Sequence, residues 1–504
     1  MIAIRHIVVG AAVGALTIYL TACDQNPAPP HQAEFSCKGT AAVTGAWYPS
    51  ISPSEHGSDS GRTHLFAQAC FRIGDDYSHI VGNTSDDLPG GYNAVTRKPG
   101  ELFVLGGSFG PITDRYGPFV SRLDARSLKE VWRTRLPGIS TGDWNYPGAI
   151  GVHGNGDLYA IYGRHLARLD PEDGHIKAQA NLPVNQTERD AAYNGFVLLS
   201  DGRIAAKSIH RRTGCSAPDF KAFLSCDTAA VPPSTLVLVN PDTLAVEQTV
   251  VAPEHIRFRL TDATSSDAEY LYLPGEERIY RYQYRSGRLT RDETWTAAYR
   301  RPGQTPATAV AAFGDWVVVQ TNGMPAPTPM SVIAISQADA SRQYRIDPFS
   351  DASSEGSFMP SMPSVDVDNR RVYAFDGYAG TLAALAFDQS AGFSVVWKVR
   401  QRSFAFSALV GPQDRRILIA TDLAGFIPDL LFSHLGLANK IALMRTFRPT
   451  EEELVWRDAA TGRELGRTKR SVAAVAGSVL TPGENGSVYA PDLRKGMLVR
   501  LHPG

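Results

Sequence analysis

The chain lacks a charge excess of either sign. Its 50 basic and 51 acidic residues leave a formal net charge of −1, so it has no electrostatic footprint for nucleic acid. It also lacks a C-x-x-C pair and adjacent cysteines, which leaves thiol redox chemistry and cysteine-bound zinc without a sequence basis. No G-x-S-x-G, H-E-x-x-H, P-loop or dinucleotide fingerprint occurs in usable context. No apolar run is long enough to cross a bilayer: the best, "IVVGAAVGALTIYL", falls short of the roughly 20 residues a span needs.

That run sits behind "MIAIRH" and ends at "LTAC", Leu20 to Cys23. It reads as a targeting segment. The end resembles a bacterial lipobox, which implies cleavage before Cys23 and lipidation of its thiol. The expected organisation is a signal peptide over 1–22, a lipidated terminus and linker over 23–62, and a folded domain over 63–504. An exported chain tolerates disulfides. Cys215 and Cys226, close together in one Pro/Ser/Gly-containing stretch, are expected to pair, leaving Cys37 with Cys70.

What the sequence does have is punctuation, 45 Gly and 33 Pro spread along its length, which favours many short strands over long helices. It also has a repeat. "VSRLDARSLKEVWRTRLP" (from Val120) aligns with "LARLDPEDGHIKAQANLP" (from Leu166) and "LVLVNPDTLAVEQTVVAP"; Asp124, Asp170 and Asn240 each lie 13 residues before a proline. Looser copies put the turn near residues 124, 170, 240, 285, 337, 388, 458 and 502. A further strand precedes each turn, among them "GELFVLGG", "GDLYAIYG", "RRVYAFDG" and "GSVYAPD", and in nearly every unit another apolar segment precedes that. Four strands per unit at this period is the signature of an all-β propeller. The expectation is eight blades, or seven if a unit around 258–300 or 305–346 is misread. The last unit stops after its third strand, so the amino-terminal stretch from Leu65, "LFAQACFRIGDDYSHI", is expected to close the ring.

"LDARSLKEVWRTRLP" and "WRDAATGRELGRT" resemble the repeat of quinoprotein-type (PQQ-like) propellers, with YVTN-type and gluconolactonase-like propellers as neighbours. The resemblance places Trp132, Trp295 and Trp397 on outer strands. The adjacent cysteines and tryptophan floor that hold the quinone in dehydrogenases of this kind have no counterpart, which argues against PQQ.

The long connections fall between the second and third strands: "GSFGPITDRYGPF", residues 208–234, "NGMPAPTPM" and residues 423–452. All four open on one end of the propeller, called the top here, which is therefore the expected binding face. Residues 423–452 carry near-helical apolar spacing, broken by Pro428 and Gly436, and are expected to form a helical cap or lid in blade seven.

At the same end, "GGYNAV", "WNYPGA" and "AAYNGF" start the innermost strands of successive blades and offer Tyr92, Asn93, Asn145, Tyr146, Tyr193 and Asn194 as ligand-binding candidates. Asn145, Asn194, Asp262, Asp376, Asp422 and Asp492 could supply oxygens to Ca²⁺ or another divalent metal, which takes six or more. Equally, Asn and Asp at strand ends satisfy turn backbone. "AAKSIHRRTGC" adds Lys207, His210, Arg211 and Arg212; Lys207, His210 and Asp262 are the catalytic candidates, and Arg211 an anion contact.

Three functions fit: a monomeric, lipid-anchored envelope propeller binding a protein partner or small ligand, a metal-dependent lactonase-like hydrolase, and a quinoprotein-like oxidoreductase or accessory subunit.

Overall fold

The structure, a computed structural model, describes residues 34–35, 46–69, 72–73, 80–107, 116–140, 143–146, 148–185, 187–212, 231–265, 268–323, 328–349, 362–423, 452–469, 478–492 and 495–503. The repeated pattern of each unit becomes one antiparallel sheet. In blade 1 the strands are Asn93–Thr96, Glu101–Gly106, Phe119–Asp124 and Glu130–Arg135, in that spatial order. Seven further sheets repeat it, so the propeller has eight blades. Their innermost strands are Ala149–Val152, Ala191–Leu198, Thr261–Thr264, Val310–Phe313, Ser364–Asp366, Ala408–Val410 and Thr481–Pro482.

Burial follows position within the blade. Inner strands are buried on both faces, because each blade packs against its neighbours; fourth strands such as Ile176–Asn181 alternate half-buried and exposed residues. Trp132, Trp295 and Trp397 lie on fourth strands, as the repeat implies.

The repeated Asp has a local cause. The Asp124 carboxylate accepts the backbone N–H groups of Arg126 and Ser127, Asp388 those of Ser390 and Ala391, and Asp458 those of Ala460 and Thr461. It closes the tight turn between strands three and four as an Asx motif. A register shift follows in the same place in most blades, for example at Arg122/Leu123, Arg168/Leu169 and Trp456/Arg457. Such bulges increase local twist, and a blade needs a strong twist.

The ring closes through the amino-terminal side of the chain, but by a different segment from the one expected. Ile80–Thr84 supplies the fourth strand of blade 8, antiparallel to Met497–Pro503. Leu65–Phe66 instead runs parallel to Ala408–Val410 on the inner edge of blade 7. The helical expectation for 423–452 falls almost wholly on residues outside those described, as do Cys23, Cys37, Cys70, Cys215 and Cys226.

Residues 46–62, which read as linker, are inside the propeller. Trp47, Ser52, Glu55, His56, Ser60, Arg62 and His64 are all buried along the axis. The innermost strand of every blade leaves an unpaired edge, and a buried edge must find partners. The segment supplies them blade by blade. The N–H of Tyr48 donates to Val152 O at 3.0 Å in blade 2, and that of Thr96 in blade 1 to Ser52 O at 2.8 Å. Ser52 Oγ reaches Pro482 O in blade 8 at 2.7 Å, and Ser60 Oγ reaches Leu198 O in blade 3 at 2.7 Å. The N–H groups of Asp262, Ala312, Val365 and Leu409, in blades 4 to 7, donate to the carbonyls of Ser60, Gly61, Thr63 and His64 at 2.8–3.1 Å. All eight blades touch one internal stopper. Both of its ends leave through the bottom: Ala46 at the turn after Val152, and Leu65–Phe66 heading towards Gly411.

Candidate functional site

The centre of the axial channel is a carboxylate. Glu55 at the core of the stopper receives the guanidinium of Arg259 on Oε1, and Asn93 Nδ2 and the Tyr92 hydroxyl on Oε2 at 2.8 and 3.2 Å. Arg62 Nη1 stands 3.5 Å and His56 Nε2 3.1 Å from Oε1. Arg259 also donates to the Tyr92 oxygen at 2.6 Å, and Arg62 Nε is held by the carbonyl of Leu260. Gly195 makes room for this cluster. It sits in a bulge between Tyr193 and Phe196, at φ +136°, and a Cβ there would lie 2.6 Å from Arg259 Nη1.

Electrostatics follow from that packing. Burial would raise the Glu55 pKa, but Arg259, His56 and Arg62 outweigh it and hold it at about 2. Burial lowers Arg62 to about 10, with Glu55 opposing the fall. Burial pushes His64 down to about 4 and His56 well below its usual range, so both rings are neutral at pH 7. The two imidazoles stack with centroids 5.1 Å apart, against Phe406 of blade 7 at 4.6 and 5.1 Å.

The wall around the stopper is of two kinds. Tyr92, Ala309, Met362, Phe406 and Val479 form a buried apolar cluster, each just ahead of the innermost strand of blades 1, 5, 6, 7 and 8. Blades 1 to 4 present polar groups instead. Lys207 is fully buried, donating to Asn194 Oδ1 at 2.9 Å and Ile256 O at 2.7 Å. Burial, then Arg259 and Arg62, push its pKa well down. Asp262 is pushed well up by burial, then by Glu269 and Asp59, and among the described residues its Oδ1 has no hydrogen-bond partner. A cavity lined by Trp47, Glu55, Asp59, Arg62 and Phe196 remains, with room for about one water molecule.

The sequence candidates divide accordingly. Tyr92, Asn93, Asn194 and Lys207 do meet around the channel, and Asp262 faces Asp59 and Glu269 instead. Asn145 is committed to the N–H of Gly163 at 3.0 Å, and Tyr146 packs edge-on against Trp144. Tyr193 lies between blades, in a core cluster with Trp47 and Phe196, its hydroxyl on Pro183 O. His210 bridges Ser208 Oγ and Pro232 O, burial lowering it to about 4. Arg211 pairs with Asp190 at 2.9 Å; Arg212 is exposed.

The proposed metal oxygens do not converge. The Asp376 carboxylate accepts the N–H groups of Tyr378 and Ala379, Asp422 that of Arg402, and Asp492 that of Lys495. Asp376 and Asp492 thus close their own turns, and Asp422 ties the entry of blade 7 to Arg402 and pairs with Arg467 at 3.2 Å. Among the described residues, three or more His, Asp or Glu donors approach one another only at Asp170, Asp173 and His175, on an exposed bottom turn.

Sequence reasoning missed Glu55, His56, Arg62, His64 and Arg259. The available signal was weak: "SPSEHGSDSGRTH" concentrates a Glu, two His and an Arg, but in Ser/Gly-rich surroundings that read as linker.

No known family profile matches the sequence, and no curated protein matches it. Solved structures do. The quinohemoprotein alcohol dehydrogenase from Comamonas testosteroni is 10% identical, with 93% of this chain and 82% of that one covered and a TM-score of 0.54. BamB from Moraxella catarrhalis is 12% identical, with 84% and 98% covered and a TM-score of 0.48. The chain is an eight-bladed β-propeller, and these likenesses show that fold alone.

Proposed function

We propose that this chain is an exported propeller, lipid-anchored through Cys23, that binds a protein partner on its top face. The observation that carries the proposal is the filled channel. In this propeller the axis, where a small substrate or cofactor would enter, is taken by residues 46–66 of the chain itself. The lengthened connections of blades 1, 3, 5 and 7 all leave and return at the top, after Gly106, His210, Gln320 and Asp422. A rigid, self-plugged ring with variable loops on one face suits a platform better than a catalyst.

The two disulfides belong to the same reading. Glu34 pairs with Ile73 and Phe35 with Arg72. Cys37 with Cys70 and Cys215 with Cys226 are the pairs this reading expects.

The test is photo-crosslinking in producing cells, with a crosslinking amino acid at Arg212 or Lys469 on the top and at Ala460 or Asp242 on the bottom. Specific protein adducts from top positions alone support the proposal. Adducts only from the bottom, or none from either face, overturn it.

A further inference from the structure

The stopper and the short strand before it fix where the chain comes out. Glu34–Phe35 pairs antiparallel with Arg72–Ile73. The second of these follows closely on Ala69, which is buried against blades 7 and 8, and precedes Ile80, at the bottom of the outer strand of blade 8. The chain is thus pinned at 34–35 beside the bottom of blades 7 and 8. Between Cys23 and Glu34 lie about ten residues, which reach at most roughly 35 Å when fully extended. A blade strand alone is about 20 Å long, and the tether would have to climb that height, plus loops, to bring the top face to the attachment point.

Charge on the bottom points the same way. Blades 1 and 7 turn there through "RKPG", "DARSLK", "PQDRR" and "DAATGR", with Arg126, Lys129, Arg415 and Arg463 exposed. Arg126 is tied directly to the closing strand, its carbonyl accepting Asn83 Nδ2 at 3.0 Å. Blades 2 and 3 turn through "HGNGD", "DPEDG", "SDGR" and "NPDT", which are mostly acidic. Blade 4, across the ring, also turns there through "RSGR" with Arg285 and Arg288 exposed, so the bottom carries cations on both sides of the ring, and those of blades 1 and 7 flank the tether.

We infer that the propeller stands bottom-down on an anionic lipid surface, with the turns of blades 7, 8 and 1 nearest the headgroups and the top face turned away from the membrane. This rests on the lipid-anchor reading. It adds the direction: cations near a negatively charged leaflet are attracted within about a Debye length, so they bias a short-tethered body towards the side that carries them. The partner then approaches from the aqueous side.

The lipidated full-length protein is reconstituted into vesicles carrying a lipid-bound quencher. A dye is installed through a non-natural amino acid at position 460 or 469, the bottom and top of blade 7. Quenching several-fold stronger at 460 is the expected result. Vesicle association with equal quenching, or stronger quenching at 469, overturns the orientation and leaves the anchor standing. No vesicle association overturns the anchor and the orientation with it. A triple variant, Arg126→Glu, Lys129→Glu and Arg415→Glu, separates the charge contribution. It should lower quenching at 460 on vesicles containing anionic lipid and leave it unchanged on neutral ones; no loss on anionic vesicles overturns the role given to these cations.

Discussion

The two halves of the channel wall solve one problem differently. Blades 5 to 8 meet the stopper with Ala309, Met362, Phe406 and Val479, and hold His56 and His64 as neutral, stacked rings. Blades 1 and 4 meet it with Tyr92, Asn93 and the arginine Arg259 and hold Glu55 as a charge, while Lys207 and Asn194 of blade 3 pair with each other in the same wall. Van der Waals packing carries one side and charge-assisted hydrogen bonds the other. The charged side is therefore specific and fragile, because removing one member of a buried ion pair strands the rest.

The strongest way to break the comparison is Glu55→Ala. It leaves Arg259 and Arg62 buried without their counter-charge and should cost about 3–5 kcal/mol. Denaturant unfolding measures it; a loss within about 1 kcal/mol would show that the stopper is not seated by this carboxylate.

Next comes pH, which acts on both halves. His64 has a folded pKa of about 4 against an ordinary value of 6.5. The unfolded chain therefore binds the proton first, and stability falls as pH drops from about 6.5 to about 4. That span corresponds to about 3 kcal/mol at most. Glu55, held at about 2 against an ordinary 4.5, loses its contribution only below about pH 4.5. The groups facing His64 are His56, Glu55, Arg62, Arg259 and the carbonyl of Ser407. His64→Gln keeps a donor for Ser407 O, so stability at pH 8 should hold while the slope between pH 4 and 6.5 flattens. Thermal unfolding across that range reads it directly; an unchanged slope would place the acid sensitivity elsewhere.

The same contrast explains what could be read from the sequence. The blades were legible because each is specified locally, by period-2 strands joined by short turns, with an Asp cap on the outer turn of four blades and Asn240 on a fifth. The top-mouth pattern was half legible: Tyr92, Asn93 and Asn194 do line the channel, but the Tyr92 hydroxyl and Asn93 Nδ2 donate to the chain's own Glu55, and Asn194 Oδ1 accepts from Lys207. The stopper was not legible. Its residues pair one at a time with the edges of eight different strands, so no period appears in them, and Ser, Gly and Pro suit such a path as well as they suit a linker. Closure was placed a strand too early for the same reason: Leu65–Phe66 has strand-like residues, and only the ring geometry shows that they belong to the inside of blade 7.

The smallest effect tests the last of the rival readings. Asp262 projects from blade 4 beside Asp59, and its carboxyl is raised well above the ordinary range by burial, Glu269 and Asp59. A raised carboxyl penalises the folded state as pH climbs through its ordinary value towards the folded one, the opposite sign to Glu55. Asp262→Asn removes that penalty while keeping the shape, so stability at pH 8 should be unchanged or higher, within about 1 kcal/mol. A divalent cation at this position would reverse the result. The aspartate would then be ionised by the metal, and the substitution would lower both stability and bound metal. Denaturant unfolding and metal analysis of protein purified without chelator, for wild type and variant side by side, separate the two: equal metal content with equal or higher stability keeps Asp262 as part of the stopper's polar wall, and a joint loss returns it to the metal site.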